Sequence, residues 1–257
     1  MTTAENQKKK NKRACVFGYP VNTLKFKKAA SIVLRCLKNR QGIQVVTINP
    51  EMIAAADENP ELAEIIKKAE LVIPDSIGIS LALDSIGIVN VQKIPGIDFS
   101  EKLIKKCSKK GYKVAFLGGS EETVNKLNTE ISKKFPELNI VFSHHGYFED
   151  NELENILNSL QEADSHLLFV GLGTPKQEIF INNNRTLLNK TVMIGVGGSF
   201  DVWAKRVKRA PVLFRIFGLE WFYRLITQPK RANRMFPALP RFFFRILFDR
   251  SELKKEY

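Results

Sequence analysis

Cysteine is scarce in this chain: Cys15, Cys36 and Cys107 are the only three among 257 residues. An odd trio with no metal-site spacing excludes a disulfide framework and suits a reducing cytoplasm. Histidine is equally rare, and the adjacent His144 and His145 have no Cys or Glu partner in a ligand pattern, so no metal site is expected. No Asp-x-Asp occurs, so a divalent ion bridging a nucleotide diphosphate lacks its usual carboxylate pair. Neither the dinucleotide-binding glycine spacing nor a phosphate-binding loop ending in Gly-Lys-Ser/Thr is present, which disfavours a dehydrogenase or an ATPase. No Ser-His-Asp or Cys-His arrangement is evident. Long apolar runs are missing too. Met1 to Arg13 is polar and basic, and no signal peptide or spanning helix follows it, so the expectation is a disordered basic tail over 1–13 and a cytoplasmic location.

What the chain has in excess is positive charge. Forty Lys and Arg against 27 Asp and Glu leave a formal net charge of +13, with a pI near 9.6. Such a balance favours phosphates, nucleic acid or anionic lipid. The hydrophobic content of 44% is ordinary for a soluble globular protein, and the length fits one large domain or one domain with an appendage.

Apolar and β-branched runs alternate with helical patterns along the first 200 residues. Strands are expected at Ala14–Phe17, Ile43–Thr47, Leu71–Ile73, 114–117, Ile140–Phe142, Leu167–Val170 and 192–196. Helices are expected at Phe26–Leu37, from Pro50, after Asn59-Pro60, over 121–135 and over 151–160, with a basic helix before the strand at 114. This alternation implies a mostly parallel sheet flanked by helices, an α/β core over 14–202.

Three of the strands run into glycines. Leu167 to Val170 meets Gly171 and Gly173, followed by Pro175 and the polar trio Lys176, Gln177 and Glu178. The strand at 114–117 meets Gly118, Gly119 and Ser120. The strand at 192–196 meets Gly197, Gly198, Ser199, Phe200 and Asp201. One such turn is weak evidence, since an ordinary strand-to-helix turn with a solvated first turn looks the same. Three together read as one rim of a parallel sheet that holds a phosphorylated ligand at glycine turns and helix starts.

Asp75 closes another strand at Pro74-Asp75-Ser76-Ile77-Gly78. A carboxylate on that rim can take a proton from an attacking hydroxyl; the plainer reading is a helix N-cap. Thr47 and Asn49 leave a neighbouring strand, where they either hydrogen-bond a sugar or cap the helix from Pro50. If a diphosphate leaves here, its charge must be met by backbone N–H groups and by Arg or Lys side chains, since the usual carboxylate pair for a divalent ion is missing.

From residue 203 to 257 the composition changes. Arg206, Arg209, Arg215, Arg224, Arg231 and Arg234 are interleaved with Phe214, Phe217, Trp221, Phe222 and Phe242 to Phe244. A greasy, positive helical appendage of this kind lies on a membrane surface, a partner or nucleic acid; a packing helix with a solvated basic face is the plain alternative. Pro237 and Pro240 are expected to prevent one long helix.

In order along the chain, Thr47-Ile-Asn-Pro-Glu51, Pro74-Asp-Ser-Ile-Gly78, Gly96-Ile-Asp98, Phe116-Leu-Gly-Gly119, His145-Gly-Tyr-Phe148, Val170-Gly-Leu-Gly-Thr-Pro-Lys-Gln-Glu178, Gly195-Val-Gly-Gly-Ser-Phe-Asp201, Val207-Lys-Arg-Ala-Pro211, Gly218-Leu-Glu-Trp221 and Tyr223-Arg-Leu225 resemble the WecG/TagA/CpsF glycosyltransferase family. The resemblance covers nearly the whole chain after the tail. It implies a Rossmann-like core with a C-terminal appendage. It implies inverting transfer of N-acetylmannosamine, or a related sugar, from a UDP donor to N-acetylglucosaminyl-diphospho-polyprenol. It places the base on Asp75, the polar active-site residues on Thr47, Asn49 and Gln177, and a phosphate-facing cation on Lys93, where the family carries Arg. UDP is then held by the glycine turns (Gly118, Gly119, Gly171, Gly173 and Gly197, with Lys176, Glu178 and Asp201) and by the appendage arginines. Asp75-Ser76 also replaces the family's Asp-Gly. The partners implied are the UDP-sugar, the lipid-linked acceptor and the inner face of the plasma membrane, and a homo-oligomer is compatible because it buries part of the appendage. The same fold acting on a UDP-uronic acid or UDP-hexose for capsule or exopolysaccharide remains open. So do a nucleotide-binding regulator and a basic nucleic-acid-binding protein, although no recognition-helix or aromatic-strand pattern supports the last.

Overall fold

The computed structural model describes residues 12–257 apart from Asn90, Gln92 and Gln228, and leaves the side chains of Arg224 and residues 229–235 undescribed. The basic tail expected over 1–13 lies outside the description up to residue 11. Its last residue, Arg13, opens a strand and hydrogen-bonds the carbonyl of Ala69 at 2.9 Å.

The centre is a six-stranded sheet. Its strands in chain order are β3 (Ile43–Ile48), β4 (Leu71–Pro74), β5 (Lys113–Gly118), β6 (Asn139–His144), β7 (Leu167–Gly171) and β8 (Val192–Gly195), arranged β4-β3-β8-β7-β5-β6. Every neighbouring pair is parallel. The sequence shows why both faces are covered. Leu167 and Phe169 enter the cluster formed with α1 (Phe26–Lys38) and α5 (Gly96–Lys110), while Leu168 and Val170 enter the opposite one, beneath α7 (Asp150–Glu162) and α8 (Lys176–Asn184). Alternate side chains of a strand point to opposite faces, so an unbroken apolar run belongs in a sheet buried on both sides. The remaining helices of the core are α2 (Pro50–Glu58), α3 (Pro60–Lys68), α4 (Ile77–Ser85), α6 (Glu121–Lys134) and the short α9 (Ser199–Trp203). The mostly parallel, helix-flanked α/β sheet expected from the sequence is the architecture found.

A second, antiparallel sheet was not foreseen. It joins β1 (Arg13–Val16), β2 (Tyr19–Asn22) and β9 (Leu253–Lys254) in the order β2-β1-β9. The hairpin turns at Phe17 and Gly18, both at positive φ (52° and 87°), as a two-residue turn between twisted strands requires. Phenylalanine rarely adopts that conformation. Here it is held by burial, by an edge-on contact with Phe242 at 5.2 Å and by the Arg245 guanidinium 4.1 Å above its ring. Asn22, fully buried, accepts the Val72 N–H at 2.8 Å and so ties the hairpin to the outer strand β4.

The appendage consists of α10 (Val212–Ile216), α11 (Glu220–Thr227) and α12 (Pro229–Phe248) before the chain returns as β9. The expectation that Pro237 and Pro240 interrupt the last helix is wrong: α12 runs unbroken through both. Each proline removes one intrahelical bond and crowds the preceding turn. Both rings are exposed, however, while Ala238, Phe242 and Ile246, spaced by four, are buried, the last two in one cluster with Ile48, Met52 and Ile79 of the core. Packing of that stripe outweighs the local cost. No helix among the described residues is long and apolar enough to cross a membrane.

Candidate active site

A cavity of about 530 Å³ opens over the C-terminal ends of β4, β3, β8 and β7. This is the rim where an open parallel sheet binds ligands. It brings together Asp75, Thr47, Asn49, Gln177, Lys93, Gly173 and Gly197 from the sequence-based set.

Asp75 follows β4 and is half-buried. Its backbone N–H bonds the Ile48 carbonyl at 2.9 Å. One carboxylate oxygen accepts the N–H of Gly96, the first residue of α5, at 2.6 Å. The positive end of a helix favours a negative side chain at this point. A Cβ at Gly96 would stand 3.1 Å from the Thr47 methyl and 3.4 Å from the other Asp75 oxygen, so a larger residue would press on both side chains. The plainer reading of Asp75 as an N-cap does not hold. Ser76 caps α4 through its hydroxyl and the Ile79 N–H at 3.3 Å, so the residue that replaces the family's glycine takes over the cap. Asn49 is a cap: its Oδ1 accepts the Met52 N–H at 3.0 Å, which leaves its Nδ2 for a ligand. Thr47 is buried at the cavity wall.

Pro175 sits just before α8, and the Thr174–Pro175 peptide is cis. The polar trio behind it divides. Lys176 is exposed and lies off the cavity wall. Gln177 lines the cavity although it is only 3% exposed; its Oε1 accepts the Gly197 N–H at 3.0 Å and its Nε2 donates to Glu178 at 2.7 Å. Glu178 is not at the surface of the turn, as a ligand contact requires. It is 1% exposed, and burial pushes its carboxyl up to about 7, with the Gln177 amide, its own backbone and Thr174 pulling the other way. Glu178, within the first turn of α8, is turned inward, and adjacency in sequence does not put three side chains on one side of a helix.

The glycines also divide. Gly173 and Gly197 line the cavity at positive φ, but the Gly197 N–H is already given to Gln177. Gly118, Gly119 and Gly171 do not line it. A Cβ on Gly118 would lie 2.5 Å from the Gly171 backbone, one on Gly171 would lie 2.9 Å from the Phe200 ring, and the Gly119 N–H bonds the Gly171 carbonyl at 3.1 Å. These three allow β5, β7 and α9 to pack closely. Asp201 accepts the Thr123 hydroxyl at 3.2 Å, also off the cavity.

Lys93 reaches the cavity wall, yet its ammonium is turned to the appendage, 2.6 Å from the Arg215 carbonyl and 3.7 Å from Glu220. Arg209 forks onto Asp98 of α5 at 2.6 and 2.7 Å and lies 3.7 Å from Glu220. Arg206 bonds Ser120 and Thr123 at 2.8 and 2.7 Å. Of the appendage arginines expected to hold phosphate, Arg206, Arg209 and Arg215 do not line the cavity, and the side chains of Arg224, Arg231 and Arg234 lie outside the described residues. The sequence reading did not count Glu220, Trp221 and Arg241 among the site residues, and they close the cavity from the appendage side. Gly218 is the available signal: a Cβ there would meet Ile77 at 2.9 Å, so this glycine marks where the appendage touches α4. Among the described residues, no three His, Cys, Asp or Glu side chains group as a metal site.

The model of the glycosyl transferase WecG/TagA/CpsF family matches residues 14–256. The chain is 33% identical over 222 residues to an N-acetylglucosaminyldiphosphoundecaprenol N-acetyl-beta-D-mannosaminyltransferase of Bacillus spizizenii, covering 86% of this chain and 85% of the relative. Proteins of the same name from Bacillus subtilis and Staphylococcus aureus are 32% and 33% identical, over 84% and 82% of this chain and 83% and 82% of their own lengths.

Proposed function

This chain belongs to the WecG/TagA/CpsF family of glycosyltransferases, and we propose that it moves N-acetylmannosamine from UDP to N-acetylglucosaminyl-diphospho-undecaprenol. The observation that carries the reading is the Asp75 carboxylate, fixed by the Gly96 N–H on the wall of a cavity shared with Thr47, Asn49 and Gln177. Matched relatives named for this transfer support the choice of sugar and acceptor.

In the proposed step the acceptor hydroxyl oxygen attacks the anomeric carbon from the face opposite UDP. The new C–O bond forms, the bond to the β-phosphate oxygen breaks, and the hydroxyl proton passes to Asp75. Inversion follows from that direct displacement. Lys93 and backbone N–H groups around Gly173 and Gly198 meet the charge that develops on UDP, without a divalent ion. Lys93 supplies a point charge where Arg would supply a fork, so it suits a phosphate oxygen rather than a fixed bidentate contact.

The lipid acceptor accounts for the outer face of the appendage. Leu213 and Ile216 of α10, Phe217 just after it, Ile226 of α11, and Phe244 and Phe248 of α12 are exposed. A surface of this kind enters the headgroup region of an anionic bilayer, and it would bring the cavity to the inner face of the membrane. Transfer of labelled sugar from UDP-N-acetylmannosamine to a synthetic N-acetylglucosaminyl-diphospho-lipid, run with EDTA, tests the reading. Turnover is expected. Turnover only on another UDP-sugar would correct the donor, and no UDP binding would remove the proposal altogether.

A further inference from the structure

Glu178 is buried away from solvent and off the cavity wall, and beside the pulls of Thr174 and its own backbone it is joined to Gln177. Its Oε1 receives the Gln177 Nε2 at 2.7 Å, and its Oε2 has no hydrogen-bond partner. On the other side of Gln177, the Oε1 atom accepts the N–H of Gly197. A backbone N–H can only donate, so the atom facing Gly197 must be the amide oxygen. The amide nitrogen must then face Glu178, which can accept through Oε1 whether or not its other oxygen carries a proton. Two partners of fixed polarity therefore remove the amide-flip ambiguity that a glutamine otherwise has. Gly195 completes the arrangement. A Cβ there would lie 2.6 Å from Gln177 Nε2 and 3.0 Å from Glu178 Oε1, so β8 leaves room for the pair only because this strand ends in glycine.

We infer that Glu178 is a positioning residue, which holds the Gln177 side chain in one orientation at the cavity wall and reaches the reaction only through it. Burying a carboxylate costs stability, and an apolar side chain in its place would pack without that cost. Retaining it makes sense where a wall amide has to present fixed donor and acceptor atoms to a polar ligand. The inference rests on the glycosyltransferase reading for its kinetic test but not for its geometry.

A double-mutant cycle decides it, using the full chain with UDP-N-acetylmannosamine and the diphospho-lipid acceptor. Glu178→Met should lower kcat by about 30-fold, the scale of one lost charge-assisted hydrogen bond, with KM for the donor within about threefold. In a Gln177→Ala background the same change should add less than about twofold, because its effect passes through the missing amide. Glu178→Gln keeps an acceptor oxygen and the shape, and should recover most of kcat. Multiplying effects in the cycle, or an unaltered kcat in Glu178→Met, would overturn the inference. If the Met variant does not fold, Glu178→Leu replaces it in the cycle, with the same outcomes expected. The side-chain amide resonances of Gln177 in 15N-labelled protein give a readout without turnover: slow exchange with water in the wild type and free-glutamine behaviour in Glu178→Met are expected. Identical spectra would sink the positioning role. Wild type that fails to transfer sugar while these resonances shift would defeat the proposed function and leave the positioning role standing.

Discussion

The sheet rim and the appendage line the same cavity but are built in opposite ways. On the rim, Asp75, Thr47 and Gln177 are held by short bonds to backbone N–H groups or by close glycine contacts at the ends of buried strands. Between core and appendage, Lys93 and Asp98 join Glu220 and Arg209 in a chain of ion pairs with spans of 2.6 to 3.7 Å, beside appendage helices that carry exposed apolar side chains. Backbone-anchored geometry is stiff and insensitive to salt. Ion pairs near the surface are exchangeable and weak. On the proposed reading, the reacting atoms belong to the rigid body, and the part that would meet donor charge and lipid is free to re-pair.

Asp75→Asn should break the rim most completely. Asparagine keeps an oxygen for the Gly96 N–H, so melting should hardly change while transfer falls by about a thousandfold. A folded variant with near-wild-type transfer would move the base elsewhere. Replacing Leu213 and Phe217 with Glu attacks only the appendage. Binding to anionic vesicles should drop by about tenfold or more while UDP binding in solution persists, as flotation and calorimetry would report. Arg245→Ala tests the anchor behind the cavity. It removes the Asp57 bond at 2.8 Å and the contact over Phe17, and should cost about 2 kcal/mol, read as a fall in Tm.

Glu178 sharpens the rim side through pH. Its folded value of about 7 lies above the ordinary 4.5, so the stability it contributes is complete below 4.5 and is lost as pH rises through 7. Wild type should therefore weaken relative to Glu178→Gln between pH 5 and 8, by about 2 kcal/mol in denaturant titrations. The smallest effect belongs to Glu220→Gln. Freed from its carboxylate partner, Lys93 should bind donor more tightly, lowering KM by about two- to threefold at low salt. A rise in KM would mean that Glu220 holds Lys93 in place rather than competing for it.

Much of the rim was legible because its signals are local. An apolar run, a glycine and a helix start lie within ten residues, so β7, β8 and their turns could be placed from the sequence, and Asp75, Thr47 and Asn49 with them. The parts that were not legible depend on distant partners. Phe17-Gly18 is no standard hairpin signal, and its turn is held by Phe242 and Arg245 from the other end of the chain. The two prolines of α12 argued for a break because the buried stripe that keeps the helix whole packs on a face made elsewhere. Gly118 and Gly171 looked like ligand turns because a glycine needed for backbone contact and one needed for an anion are the same letter.

The pairing of β9 with β1 has a mechanical consequence. Cys15 and Glu252, 237 positions apart, are in contact, and the Tyr257 N–H bonds the Arg13 carbonyl at 2.9 Å. The two strands are antiparallel, so a pull on residues 13 and 257 opens the pair from its outer end, one bond at a time, instead of shearing all of them together. Force applied at these two points would peel β9 away first and then load α12, uncovering the back of the cavity while the six-stranded sheet is still whole.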